Sequence, residues 1–322
     1  MKFSNTLPCL IIGYGRRQGI NSNIRKAIAS GSKRVYISLD GPADSLVSQQ
    51  QMLLQDDISS IRDEFPEVQI SLRKNPSNFG VALGVISGIE WFFSIEEKGV
   101  IVEDDLLVDK DFFKFCTLAL DRYEFDDRVW MICGSQFLSS ENGSSKEISW
   151  SQIPQIWGWA STRIKWQSIR HSVWNNNKNL RLFGPPFTNY WNIGYRRAIR
   201  GEIDTWDIPI VACALNLNKY VITPPVNLVT NVGFDEFSSH TQQNVYPLGI
   251  SRASLPSEIV WSVNPNDEKV KNYHKKLSKT VYKVKYRHLL LPIRYEIETL
   301  IRYFLGRKSK ELIPRWKKIV SS

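Results

Sequence analysis

Between residues 7 and 133, short apolar runs alternate with longer segments of helical spacing, and few folds accept such an alternation. Leu7-Pro8-Cys9-Leu10-Ile11-Ile12 reads as a buried strand that stops at the glycine-rich Gly13-Tyr14-Gly15. Ile20 to Ser30 has helical spacing and ends at Gly31. Arg34 to Leu39 is a second strand, closed by the turn signal Asp40-Gly41-Pro42, and Val47 to Phe65 is a polar amphipathic helix. Val68 to Leu72 is a third strand and Val81 to Ile95 a helix. Gly99-Val100-Ile101-Val102, nearly all apolar, is a fourth strand that runs directly into Glu103-Asp104-Asp105. Asp111 to Tyr123 is helical, and Val129 to Cys133 is a further strand. This order predicts an α/β fold with a Rossmann-type, mostly parallel central sheet flanked by helices.

In such sheets ligands collect at the carboxyl ends of strands. Asp40, Asn78 and Asp105 each follow a predicted strand, Asn78 after a short loop, so three polar points converge on one sheet edge. Three adjacent carboxylates raise one another's pKa unless something positive sits among them. A hard divalent cation, Mg²⁺ or Mn²⁺, relieves that cost with one or two carboxylates, completing its shell with water and phosphate oxygens. Strand alternation sends Glu103 and Asp105 one way and Asp104 the other. The competing reading is a solvated acidic turn that caps the next helix, since Asp109 and Asp111 continue the acidity.

The formal charge of +10 implies an anionic partner, which admits a nucleotide, a nucleic acid or an anionic membrane surface. No nucleic-acid motif is found, and the charge concentrates at one end of the chain, so nucleic acid is set aside. Cys9, Cys116, Cys133 and Cys213 lack metal-ligand spacing and lie in apolar runs, which reads as reduced thiols in a cytoplasmic protein. The apolar run after Lys2 is too short for a secretory signal, and no segment has the length of a membrane span. The 11 Trp and 12 Tyr fill a core or line a sugar site.

The stretch Val102-Glu103-Asp104-Asp105-Leu106-Leu107-Val108-Asp109-Lys110-Asp111-Phe112-Phe113 resembles the metal-binding strand and following helix of GT-A glycosyltransferases. It is closest in character to the inverting N-acetylglucosaminyltransferases and to bacterial hemolytic-protein-like transferases of polysaccharide biosynthesis. The resemblance extends in order over roughly residues 7 to 241. It takes in Ser38-Leu39-Asp40-Gly41-Pro42, Asn75 to Gly80 with Gly84 and Gly88, Trp157-Gly158-Trp159-Ala160, and Asn231-Val232-Gly233-Phe234 through Ser239-His240-Thr241. It implies a GT-A-like catalytic domain over 1–268, with a donor half of about 1–138 and an acceptor half of about 139–268, followed by a basic helical extension over 269–322.

The resemblance also implies roles. Asp105 is the metal ligand, bridging Mn²⁺ or Mg²⁺ to the diphosphate of a nucleotide sugar, with a UDP-sugar favoured. Asp104 meets the ribose, Glu103 orients the sugar or supports the loop, and Asp40 meets base or ribose unless it is only a turn aspartate. Asn78 belongs to the same donor set. Arg16 approaches base or phosphate, although the Arg-Pro-like pair expected there is missing. His240 approaches the diphosphate or metal, or is structural. An inverting transfer needs a base for the acceptor hydroxyl, and Asp207 falls at the expected place. Asp204 competes, three residues earlier on the same face if the segment is helical. Trp157, Trp159 and Trp206 wall the acceptor or pack in the core.

Implied activity is therefore hexosyl or N-acetylhexosaminyl transfer to a glycan or lipid-linked glycan in bacterial surface polysaccharide (lipopolysaccharide) synthesis. From Lys269 onward the chain is basic, with Ile297, Leu300, Ile301 and Phe304 at helical spacing. That pattern suits either peripheral contact with the inner face of an anionic membrane or packing on the main domain. Two rivals stand beside this reading: a sugar-phosphate nucleotidyltransferase, whose triphosphate loop Gly13 to Gly19 weakly imitates, and a non-catalytic polyanion-binding protein.

Overall fold

The computed structural model describes residues 6–138, 145–171, 184–233 and 252–305. Its strands and helices follow in the order β1 (Cys9–Gly13), α1 (Arg17–Ala29), β2 (Arg34–Leu39), α2 (Ser45–Glu64), β3 (Gln69–Lys74), α3 (Gly80–Ile95), β4 (Lys98–Glu103), β5 (Leu106–Leu107), α4 (Lys110–Tyr123) and β6 (Val129–Cys133). Then come β7 (Ser149–Ser151), β8 (Trp159–Thr162), α5 (Arg163–Arg170), α6 (Pro185–Ile199), α7 (Asp207–Asn216), β9 (Tyr220–Thr223) and β10 (Thr230–Asn231). The last elements are α8 (Asp267–Thr280), a 3₁₀ turn at Tyr286–Leu290, and α9 (Leu291–Leu305).

Eight strands form one sheet in the order β3-β2-β1-β4-β8-β6-β9-β7, and β5 with β10 forms a separate antiparallel ribbon. The first four pair in parallel, as expected, while β8 and β7 run antiparallel to their neighbours. Because β1 leads to β2 on one side and pairs with β4 on the other, the strand order reverses between β1 and β4. A crevice opens at such a switch point. The residues at its lip are Gly13 and Glu103, with Ile12 opposite Glu103 in the register.

Strand alternation splits the core between the two faces of the sheet. Cys9 and Ile11 of β1 face α1, α2 and α4, where Ile24, Ile58 and Phe115 are buried. Leu10 and Ile12 face Ile89 and Phe92 of α3, together with α5 and α7. A one-residue slip of β1 would exchange these sets, so its register is fixed by burial on both sides. A third cluster joins Phe187 and Trp191 of α6 to Val211 of α7 and to Leu277 and Val281 from the C-terminal segment. The first part of the basic extension is thus docked on the main body rather than standing off it.

His274 of α8 anchors this docking. Its Nε2 accepts the Gln152 N–H at 3.0 Å and lies 3.1 Å from Ser151 Oγ. An accepting Nε2 requires a neutral ring, and burial pushes the imidazole down to about 3. An unfolded histidine titrates near ~6.5. The stabilisation is therefore complete above that value and is lost as pH falls from there toward 3, at up to ~1.4 kcal/mol per pH unit. Urea midpoints measured from pH 7 to 5 should fall more steeply for the native chain than for His274→Asn. Equal slopes would contradict this account of the docking.

Candidate functional site

The acidic triplet sits at the switch point, and three contacts hold it. The buried Asn23 of α1 donates through Nδ2 to the carbonyls of Glu103 (3.2 Å) and Leu106 (2.9 Å). Gly19 lies so close to the Asp104 carbonyl that a Cβ there would collide with it. The ribbon of β5 with β10 brings Asn231 and Gly233 against Asp105: the Val232 N–H reaches the Asp105 carbonyl at 2.8 Å, and Asn231 Nδ2 lies 3.5 Å from Asp105 Oδ2. A Cβ at Gly233 would overlap the Asp105 carboxylate. The triplet does not cap the next helix. Asp109 does so, accepting the Asp111 N–H, and Asp111 in turn accepts the Leu255 N–H.

The three acids differ in environment. Asp104 turns to the loop after β1, where Oδ2 accepts the Tyr14 N–H at 2.9 Å and Oδ1 lies 3.5 Å from Arg16 Nη1. Burial raises its pKa, while Tyr14 and Arg16 draw it back. Burial, reinforced by Asp104, pushes Asp105 up to about 6. Glu103 is raised well above the usual range, first by burial and then by Asp105, Asp104 and Asp207. Burial and mutual proximity therefore disfavour the charged forms of these acids beyond what Arg16 relieves.

Glu103 and Asp105 form the partition between two chambers. One, of 390 Å³, is lined by the loop after β1, Asp40, Asn78, Asp104 and the start of α3. The other, of 290 Å³, contains Asp207 and a group of aromatic rings. Arg16, Val81, Glu103 and Asp105 line both.

Asp40 and Asp204 both reach the first chamber, but their carboxylates are committed to α3. Asp40 accepts the N–H groups of Phe79 and Gly80, along with Asn75 Nδ2. Asp204 accepts those of Val81 (2.8 Å) and Ala82 (2.9 Å). Together they satisfy the four N–H groups that a helix N-terminus leaves open. Asp204 precedes α7 rather than sharing a helical face with Asp207, so the expected pairing of the two on one helix does not occur. Asp204→Ala should lower unfolding stability by about 1–2 kcal/mol, the usual scale of a lost cap, with Asp204→Asn costing less. An unchanged urea midpoint for the alanine variant would contradict the capping role.

Asp207 opens α7, where the positive end of the helix dipole favours a carboxylate, and it accepts the Thr205 hydroxyl. Asn78 bridges Gly41 O and Gly80 N at the rim of the first chamber. Trp157 and Trp206 line the second chamber. Trp159 does not: it is 1% exposed, sits in the sheet core and packs on Trp166 and Trp206, because an inward position on a central strand leaves a large ring no route to a cavity. His240 lies outside the described residues. Tyr190 and Tyr282 belong to the second chamber and have no sequence motif. Tyr190 lies close enough to Asp207 that, after burial, the aspartate is the further cause of its raised pKa.

Among the described residues no group of three or more His, Cys, Asp and Glu side chains encloses a metal. A Mg²⁺- or Mn²⁺-type site with one or two carboxylates asks for less, its remaining positions being filled by water and phosphate. Asp105, half-buried, raised in pKa and lining both chambers, fits that need, and Glu103 is its neighbour.

No family model matches the chain, and no curated protein matches it. Among solved structures it is similar to a mannosyltransferase from Pyrobaculum calidifontis in complex with GDP-Man and Mn²⁺, with 10% identity over 67% of this chain and 70% of that one and a TM-score of 0.39. TarS residues 1–349 of S. aureus gives 10% identity over 71% and 61%, with a TM-score of 0.40. A UDP-glucose pyrophosphorylase complexed with UDP-glucose gives 11% over 68% and 90%, with a TM-score of 0.39. Scores and identities this low assign no role to any residue.

Proposed function

We propose that this chain is a metal-dependent, GT-A-like glycosyltransferase that moves a hexosyl or N-acetylhexosaminyl group from a nucleotide-diphosphate sugar to a glycan hydroxyl with inversion. The observation that carries the reading is the shared partition: Glu103 and Asp105 face a chamber suited to a nucleotide on one side and an Asp207-bearing aromatic chamber on the other. In this reading Asp105 holds the divalent ion, supported by Glu103. When bound, the ion supplies positive charge to the departing diphosphate. Asp104 keeps the loop of Tyr14 and Arg16 in place beside the nucleotide. Asp207 accepts the acceptor's hydroxyl proton as that oxygen bonds to the anomeric carbon, the bond to the diphosphate oxygen breaks, and the nucleoside diphosphate leaves.

Arg17 favours transfer over nucleotidyl chemistry. A triphosphate loop needs its cations at the ligand, yet Arg17 is bound by Asp57 through Nε and Nη2. The test is incubation with UDP- and GDP-sugars plus Mn²⁺, against sugar phosphate plus UTP or GTP, followed by NMR of the products. Metal-dependent release of nucleoside diphosphate with an inverted anomeric centre supports the reading. Formation of a nucleotide sugar and pyrophosphate contradicts it.

We further propose that the chain works at an anionic membrane surface on lipid-linked acceptors of surface polysaccharide synthesis. Ile293, Leu300 and Phe304 of α9 are exposed at helical spacing, and Tyr295 on the other side is buried against the body, with Arg200 bonded to its hydroxyl. No helix among the described residues is long and apolar enough to cross a membrane. The chain should float with vesicles containing anionic lipid and not with neutral ones. Ile293→Glu with Leu300→Glu should abolish flotation, and flotation unaffected by these changes or by lipid charge would contradict it.

A further inference from the structure

The second chamber has a composition that the transfer reaction alone does not demand. Asp207 and the face of Asp105 are surrounded by Phe137, Trp157, Tyr190, Trp191, Trp206 and Tyr282. Trp191 and Trp206 are buried, whereas Trp157, Tyr190 and Tyr282 are half-buried and have ring surface left to offer a ligand. Tyr190, Trp191 and Tyr282 brace one another, with centroids 5.6 to 5.8 Å apart. Tyr282 follows α8, so the C-terminal segment, whose sequence suits either membrane contact or packing on the main domain, closes one wall of the site.

Three properties select the occupant. The volume of 290 Å³ is at the small end for ligand sites, which run from roughly 300 to 1,000 Å³, and suits one ring rather than a chain. Aromatic faces are electron-rich and attract the partly positive C–H groups of a pyranose. Arg16 is the one cation among the described lining residues, and it already faces Asp104, while Glu103, Asp105 and Asp207 are acidic. A phosphate or carboxylate on a ring stacked against Tyr190 would lie beside Asp207, with no cation other than Arg16 among the described lining residues, and like charges brought together are costly.

Resting on the glycosyl-transfer reading above, we infer that this chamber binds a single uncharged pyranose, the terminal sugar of the acceptor, stacked on Tyr190 and Tyr282 with one hydroxyl on Asp207. Acceptors whose terminal unit carries phosphate or carboxylate are refused. Tyr190 and Tyr282 are positioning residues that set where the ring lies relative to the Asp207 carboxylate.

The experiment uses the full chain with Mn²⁺ and nucleoside diphosphate present. Methyl glucoside, galactoside, mannoside and N-acetylglucosaminide are titrated against methyl glucuronide by saturation-transfer NMR and Trp fluorescence. At least one neutral glycoside should bind saturably, the glucuronide about tenfold or more weaker, and Tyr282→Ala should weaken the neutral ligand about tenfold while Tyr282→Phe restores it. If Tyr282→Ala fails to fold by circular dichroism, Tyr190→Ala takes its place, and the neutral-against-anionic comparison on the native chain stands regardless. Nucleoside diphosphate binding without binding of any neutral glycoside overturns this inference alone. Equal binding of the glucuronide, or no loss in the alanine variants, also overturns it. Failure of metal-dependent nucleotide binding as well overturns the glycosyl-transfer reading with it.

Discussion

Asp207→Asn is expected to lower kcat/KM by about 10²–10⁴-fold, the usual contribution of a positioned general base, with little change in the donor's KM. The substitution keeps an oxygen for the Thr205 hydroxyl and removes the capacity to take a proton. It also removes a charge from a site that holds three further buried or half-buried acids, so the fold should not suffer. Asp204, the other candidate in the sequence, behaves in the opposite way: both of its oxygens are engaged by α3, and its loss should show first in stability. Steady-state rates and urea midpoints measured on both variants separate the two roles. An Asp207→Asn enzyme within tenfold of the native rate would remove Asp207 from the reaction.

Asp105→Asn is the second large expectation. The carboxylate is half-buried, is pushed up to about 6 by burial and by Asp104, and has Asn231 Nδ2 at 3.5 Å, the outer limit of a hydrogen bond. A carboxylate placed there for structure would be satisfied by donors; Asp104 beside it is, through Tyr14 and Arg16. Several kcal/mol of transition-state stabilisation from a bound cation correspond to about 10²–10⁴ in rate. Asparagine keeps the shape and removes the charge, so activity should fall by that factor, and added Mn²⁺ should not restore it.

Much of the donor side was legible in the sequence because it is written locally. The segments that form β1, β2 and β4 are largely apolar runs bounded by turn residues, and a strand buried on both faces has that signature, whereas the edge strand β3 is more polar and only partly buried. The separation of Asp104 from its neighbours was also expected from strand alternation. All three line the first chamber and only Glu103 and Asp105 reach the second, because β4 ends at Glu103 and the acids beyond it lie on a turn pinned by Asn23 rather than on a strand. The acceptor side was less legible because its parts are remote in the chain. Strand β8 has only four residues, two of them hydroxylic, and inserts antiparallel between β4 and β6, which no local period reveals. Trp157 and Trp159 are two residues apart, a spacing that puts both on one face of a regular strand, yet β8 begins only at Trp159 and Gly158 before it takes a φ of +63°, so Trp157 lines the chamber while Trp159 packs in the core. Asp204 meets Val81 across 123 residues. Tyr282 reaches the chamber only because Leu277 and Val281 dock α8 on α6 and α7, a tertiary event hidden beneath the basic composition.

The central claim is that Asp105 and its neighbours form the metal-dependent half of a nucleotide-sugar site. Calorimetric titration with UDP and GDP, each with and without Mn²⁺, tests it most directly, with the Asp105→Asn variant alongside. The account predicts binding of at least one nucleotide that requires Mn²⁺ in the native chain and is lost in the variant. Nucleotide binding that is indifferent to the metal, or no binding under any condition, would contradict it.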